Sequence, residues 1–185
     1  MTDVQICNVG LAMLGLKRIS SLTSDQREAV ACNLHYQSSV NEILAEHEWG
    51  FAKKRATLAQ SADTNLTGYD YLYTLPSDMV RLIALDEDGE LVTEYAVEGG
   101  KVAADSETLR ALYVAEVSDP NRFPPQVART ISMLLAYNLA IEFQQSRSLS
   151  SDMYTQYRMN LERARQIEQQ QETAGAGPSM WEDIF

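Results

Sequence analysis

The side chains able to do chemistry are few and scattered. The densest acidic group is Asp86, Glu87, Asp88 and Glu90. Two carboxylates held roughly 5 to 10 Å apart in a cleft would suit glycosidic hydrolysis. Here the acids flank Gly89, and the stretch reads as a solvated hairpin tip. It also lacks the ligand ladder and closing bidentate Glu of an EF-hand calcium loop. Glu42 and Glu46 share one face of a helical stretch with Glu48 close by, and like charges at that spacing repel mildly. A solvated or partner-facing stripe is expected there. His35 and His47 carry no HExxH pattern and read as surface or boundary histidines. Ser20-Ser21 and Ser38-Ser39 sit in neither GxSxG nor SxxK. Gly99-Gly100-Lys101 lacks the spacer and following Ser or Thr of a phosphate-binding loop. Cys7 and Cys32 form no CxxC, and two histidines cannot complete a zinc spacing. Two buried thiols in a reducing compartment are expected. The reading is therefore of a protein without catalytic, metal or cofactor residues, and not an enzyme.

Two other features point to partners. Lys53-Lys54-Arg55 is the one dense basic run in a chain of net charge −11. It reads either as a solvated patch at a helix end or as a clamp on an acidic neighbour, another copy included. Local charge opposite in sign to the whole favours oriented association. The second feature is Met180-Trp181-Glu182-Asp183-Ile184-Phe185, preceded by the linker-like 173–179. It reads either as a disordered end or as an arm whose Met180, Trp181, Ile184 and Phe185 anchor in a partner groove, since aromatic anchors carry much of an interface's energy. The acidic balance disfavours a grip on nucleic acid. No apolar stretch approaches the roughly 18 residues of a membrane span. Asp3, Gln5 and Asn8 interrupt any signal-peptide pattern, so a soluble cytoplasmic start is expected.

The positioning elements follow from periodicity. The 185 residues, 45% of them hydrophobic, suffice for one good core. A first helix is expected over 3–14, with Thr2 and Gln5 as a capping box, a Cys7-Leu11-Leu14 stripe and Gly15 as its stop. A second is expected from Asp25, capped with Glu28, to about Trp49, carrying Ala29, Cys32, Tyr36, Val40, Ile43 and Leu44. Trp49 and Phe51 then close the core beneath. Short strands are expected over 69–75, 80–85, 90–97, 101–104 and 109–117, joined by turns at 86–89 and 99–100. Pro125 starts a third, widely apolar helix to about 145. After a polar break at 146–150, a fourth runs to about 171. The expected fold is mainly α: a four-helix bundle of residues 1–52 and 120–171, a small antiparallel β excursion over 53–119, and an extended arm over 172–185.

An ordered set of motifs then resembles one family. It comprises Ile6-Cys7-Asn8-x-x-Leu11-Ala12-x-x-Leu14-Gly15, Ile19-Ser20-Ser21-Leu22, Ala29, Cys32, Tyr36 and Leu44. Trp49-x-Phe51-Ala52-x-x-Arg55-x-x-Leu58 and Tyr71-x-Tyr73-x-Leu75-Pro76-x-Asp78 with Arg81-Leu82 follow. Asp119-Pro120-x-x-Phe123-Pro124 and Leu135-Ala136-x-x-Leu139-Ala140 complete it. Over about 4–170 the chain resembles the tail tubular protein A family, the head-to-tail adaptors of short-tailed bacteriophages. The resemblance implies a structural virion protein of the neck, assembled in the host cytoplasm as a ring of twelve copies. Its implied partners are the portal protein above, the tail nozzle protein below and its own copies. Genomic DNA passes through as cargo, and no membrane is involved. No catalytic residue is carried over. The chain departs from the family at its end, where Glu182-Asp183 follows Trp181 in place of a basic residue. Two other classes stay open: a monomeric cytoplasmic interaction module, and a carboxylate-dependent cell-wall hydrolase of the tail.

Overall fold

A computed structural model describes residues 1–143 and 146–175, with side chains followed to Gln171. The chain divides into two compact units, residues 1–43 with 117 onward and residues 44–116. The helical unit is built on α1 (Asp3–Met13), most of α2 (Arg27–Glu46), α3 (Pro125–Glu142) and α4 (Arg147–Gly175). Thr2 caps α1 through the full capping box: its hydroxyl accepts from the Gln5 N–H, and the Gln5 side chain accepts from the Thr2 N–H. At the other end Gly15 takes φ 68, and the Gly15 and Leu16 N–H groups close back on the Ala12 and Leu11 carbonyls.

α3 is the axis of this unit. It buries Val127, Ile131, Leu134, Leu135 and Leu139 among others, as its wide apolar arc predicts. α1 lies close against it at Gly10, where an added Cβ would stand 3.0 Å from the Ser132 carbonyl oxygen. Cys7, Leu11, Ala29, Cys32, Leu135 and Leu139 share one core. The α1–α2 connection is clipped by one side chain. Asn8 donates to the Ile19 carbonyl and accepts from the Ile19 N–H, both at 2.8 Å.

Two helix starts differ from expectation. α2 begins at Arg27 rather than Asp25, and the Ser24 hydroxyl accepts from the Gln26 N–H. α4 begins at Arg147, because the Ser146 hydroxyl accepts from the Leu149 N–H and turns the polar stretch into a cap. α4 also continues to Gly175, through the start of the stretch read as a linker.

The β unit corrects the expected fold class. The chain is not a mainly α four-helix bundle with a small excursion. It is a mixed α/β fold, 47% helical and 21% strand, with two antiparallel sheets of four strands each. The strands are β1 (Lys53–Thr57), β2 (Ala59–Gln60), β3 (Tyr71–Thr74), β4 (Met79–Glu87), β5 (Glu90–Val92), β6 (Ala96–Glu98), β7 (Lys101–Ala104) and β8 (Arg110–Ala115). One sheet runs β1-β8-β4-β5 and the other β2-β3-β7-β6. The reason for the second layer is burial. Tyr73, Leu85, Val102, Tyr113 and Ala115 each need an inner face, and both sheets contribute to one core. β4–β5 turns through Asp88 and Gly89 with φ 49 and 96, and β6–β7 through Gly99 and Gly100 with φ 56 and 76. Positive φ at both central residues is the tight hairpin geometry that matches strand twist.

Candidate functional site

The basic run Lys53-Lys54-Arg55 forms most of β1, paired on one side only, with β8. Strand alternation splits the run between two faces. Lys54 stands opposite Tyr113 in the ladder. Its ammonium bonds the Asp78 carboxylate at 2.6 Å, and the Tyr113 hydroxyl donates to the other Asp78 oxygen at 3.1 Å. The Lys54 hydrogen bond holds the Asp78 carboxyl below its ordinary range, helped by the Tyr113 hydroxyl. Burial pushes the Tyr113 hydroxyl up, reinforced by its bond to Asp78. Lys53 reaches Glu48 at 3.7 Å. Arg55 is exposed and, among the described residues, has no ion-pair partner. Two of the three cations are thus engaged within the unit, and Arg55 is the one left to meet another surface. Lysines along an edge strand also discourage strand-to-strand aggregation.

The second candidate set, Met180, Trp181, Ile184 and Phe185, lies outside the described residues.

The acids of the hairpin are occupied locally. Asp86 accepts from the Arg110 guanidinium at 2.5 and 2.8 Å and from the Gly89 N–H at 3.2 Å. Glu87 accepts from the Thr108 N–H at 3.1 Å. These bonds shape the turn and brace β4 against β8, and they turn Asp86 and Glu87 inward to protein donors. Asp63 pairs with Lys101, and Asp105 accepts from the Asp70 N–H. Among the described residues, no group of three His, Cys, Asp or Glu side chains could hold a metal ion.

Two contacts were not visible in the sequence. His35 and Glu142, 107 residues apart, meet at 2.6 Å across α2 and α3. One turn along, the Asn138 amide donates to the Ser39 hydroxyl at 3.1 Å. The Ser38 hydroxyl donates to its own helix, at the His35 carbonyl, so it is not a nucleophile activated by this imidazole. The pair acts as a clasp between helices. Cys7 and Cys32 are both fully buried in one core. Their mutual hydrogen bond, with burial, pushes the Cys7 thiol up, away from the reactive thiolate. Only the helical phase of Cys7 and Cys32, each on the apolar face of its helix, hinted at this meeting.

Among the described residues no helix is long and apolar enough to cross a membrane. Comparison with protein-family models matches no family to this chain, and comparison with curated proteins finds no matching relative.

Proposed function

We propose that the chain is a structural head-to-tail adaptor of a tailed-phage virion. It forms a ring beneath the portal, joins the portal to the tail nozzle and lets DNA pass. The observation that carries this reading is where the ordered set of motif residues sits, the set in which the chain resembles the adaptor family. Leu11, Leu14, Ile19, Cys32, Trp49, Leu58, Tyr73, Leu75, Leu135 and Leu139 are all buried. The polar members Asn8 and Asp78 make the fixing bonds to Ile19, Lys54 and Tyr113. A match concentrated on packing and fixing positions specifies a scaffold, which suits a family whose role is structural.

Charge supports the same reading. A net charge of −11 leaves passing DNA unbound, because counterion release needs cations. Arg55 is the cation best placed for an acidic neighbour in the ring. Residues 180–185 are the arm that docks on the portal or on a neighbouring copy, and the β unit faces the next tail component. The hydrolase reading has less support, since Asp86 and Glu87 are bonded to Arg110 and to backbone.

Native mass spectrometry with and without purified portal rings tests the proposal. A closed oligomer formed on portal, in up to twelve copies, is the expected result. A chain that stays monomeric with portal present at every salt concentration overturns it in favour of the monomeric module. Arg55→Glu should weaken the ring without unfolding the chain, read by circular dichroism.

A further inference from the structure

A groove of about 770 Å³ in the helical unit opens between the start of α1, the first turns of α3 and the middle of α4. Met1, Val9, Pro125 and Ile167 give it an apolar lining, and Gln126, Arg129, Asn160 and Arg163 give it a polar one. Among the described residues no carboxylate lines it, although the chain carries 26 acidic residues against 15 basic ones.

Its two arginines are also unspent. On α4, Glu162 pairs with Arg158 and Arg165. Arg163 lines the groove and, among the described residues, has no ion-pair partner. Arg129 has none either, and no acid stands three or four residues from it on α3. The groove therefore fits an acidic segment with apolar flanks.

The chain carries such a segment. Residues 180–185 read Met-Trp-Glu-Asp-Ile-Phe, two carboxylates between apolar side chains. Reach selects among the grooves. Arg163 stands twelve residues before Gly175 on α4. At a helical rise of 1.5 Å this is about 18 Å, and Ile167 is about 12 Å away. Trp181 and Glu182, six and seven residues past Gly175, span at most about 22 and 25 Å of extended chain. Arg147, in the open groove with Tyr137, Ile141 and Tyr154, lies about 42 Å back along α4. The ten residues after Gly175 extend at most about 36 Å and cannot reach it.

We propose that residues 180–185 dock in the Arg129–Arg163 groove of their own chain, with Glu182 and Asp183 on the two guanidinium groups and Trp181 on the apolar lining. The docking does not depend on ring formation. It gives the arm a resting place that any partner must compete for.

Fluorine NMR of the full chain labelled with fluorotryptophan tests this, because the chain has two tryptophans, Trp49 and Trp181. Trp181→Phe assigns the signals. The Trp181 signal should stand displaced from that of a free peptide covering residues 177–185. It should move onto the peptide position in Arg129→Glu/Arg163→Glu, with the buried Trp49 signal unmoved as the control for folding. Glu182→Lys/Asp183→Lys, which alters no described residue, should release Trp181 in the same way. Combining both pairs of reversals should restore the displaced position. A Trp181 signal at the peptide position in the unaltered chain overturns the proposal. So does a displaced signal that Glu182→Lys/Asp183→Lys leaves in place. A displacement that vanishes on dilution overturns the same-chain docking and assigns the contact to a second copy.

Discussion

In the helical unit, elements far apart in sequence are drawn together by close packing. In the β unit, neighbouring strands are set by their turns and trimmed by charge. α1 meets α3 at Gly10, more than a hundred residues away, with no room for one methyl group. β4 meets β5 through a two-residue turn, and Asp86 serves both the Gly89 N–H and the Arg110 side chain. The first arrangement tolerates almost no change of volume. The second tolerates changes of side chain but not of backbone hand. The lesson is that the two units should fail for different reasons, and substitutions can be ranked accordingly.

The largest effect is expected at the axis of the helical unit. Leu135 is fully buried, and Leu135→Ala should cost roughly 2 to 5 kcal/mol, the range for a cavity in a packed core. Urea denaturation should show it as a lower midpoint with an unchanged slope. Gly10→Ala sharpens the contrast by adding volume. The Ser132 carbonyl must give by a few tenths of an ångström, at a cost of about 1 to 3 kcal/mol. Ala gains roughly 1 kcal/mol over Gly inside a helix, so a net loss of at most about 2 kcal/mol is expected, with hydrogen exchange quickened first in α1. In the β unit, Gly89→Ala meets open space but must hold φ 96. A loss of about 1 kcal/mol is expected, confined to faster exchange in β4 and β5. An equal response of α1 and β5 amides to all three changes would erase the distinction between the units.

The smallest effect is electrostatic. The Asp78 carboxyl is held below its ordinary value of 3.8 by Lys54 first and then by Tyr113. A lowered folded value adds stability that is complete above the unfolded value and is lost as pH falls through the folded one. Asp78→Asn should therefore lower stability slightly above about pH 4 and flatten the fall below it, where the two proteins converge. Both partners are more than a third exposed, so solvent screening keeps the change small.

The local features were legible because their causes are local. Thr2 with Gln5, Gly15, the Pro125 start and both hairpin turns each depend on residues within a few positions. The two-sheet arrangement was not legible, because it rests on one long-range pairing in each sheet, Lys53 of β1 with Val114 of β8 and Tyr71 of β3 with Ala104 of β7. Those registers are settled by burial across the unit rather than by any adjacent residue. β1 itself was hidden by composition, since Lys-Lys-Arg carries no strand signal and pairs only because β8 supplies an apolar ladder. The same holds at the candidate site. A basic run was visible, but the split of Lys53 to Glu48 and Lys54 to Asp78 needed the fold. His35 and Glu142 are too far apart in sequence for any spacing rule to join them.

The Asn8 side chain does the work of a peptide group, offering one donor and one acceptor to Ile19 as a paired strand would. Hydrolysis of its amide to a carboxylate would keep the acceptor, abolish the donor and set two oxygens against each other at the Ile19 carbonyl. Asn8→Asp installs this lesion directly, and its α1–α2 connection should exchange hydrogen faster than that of the unaltered protein.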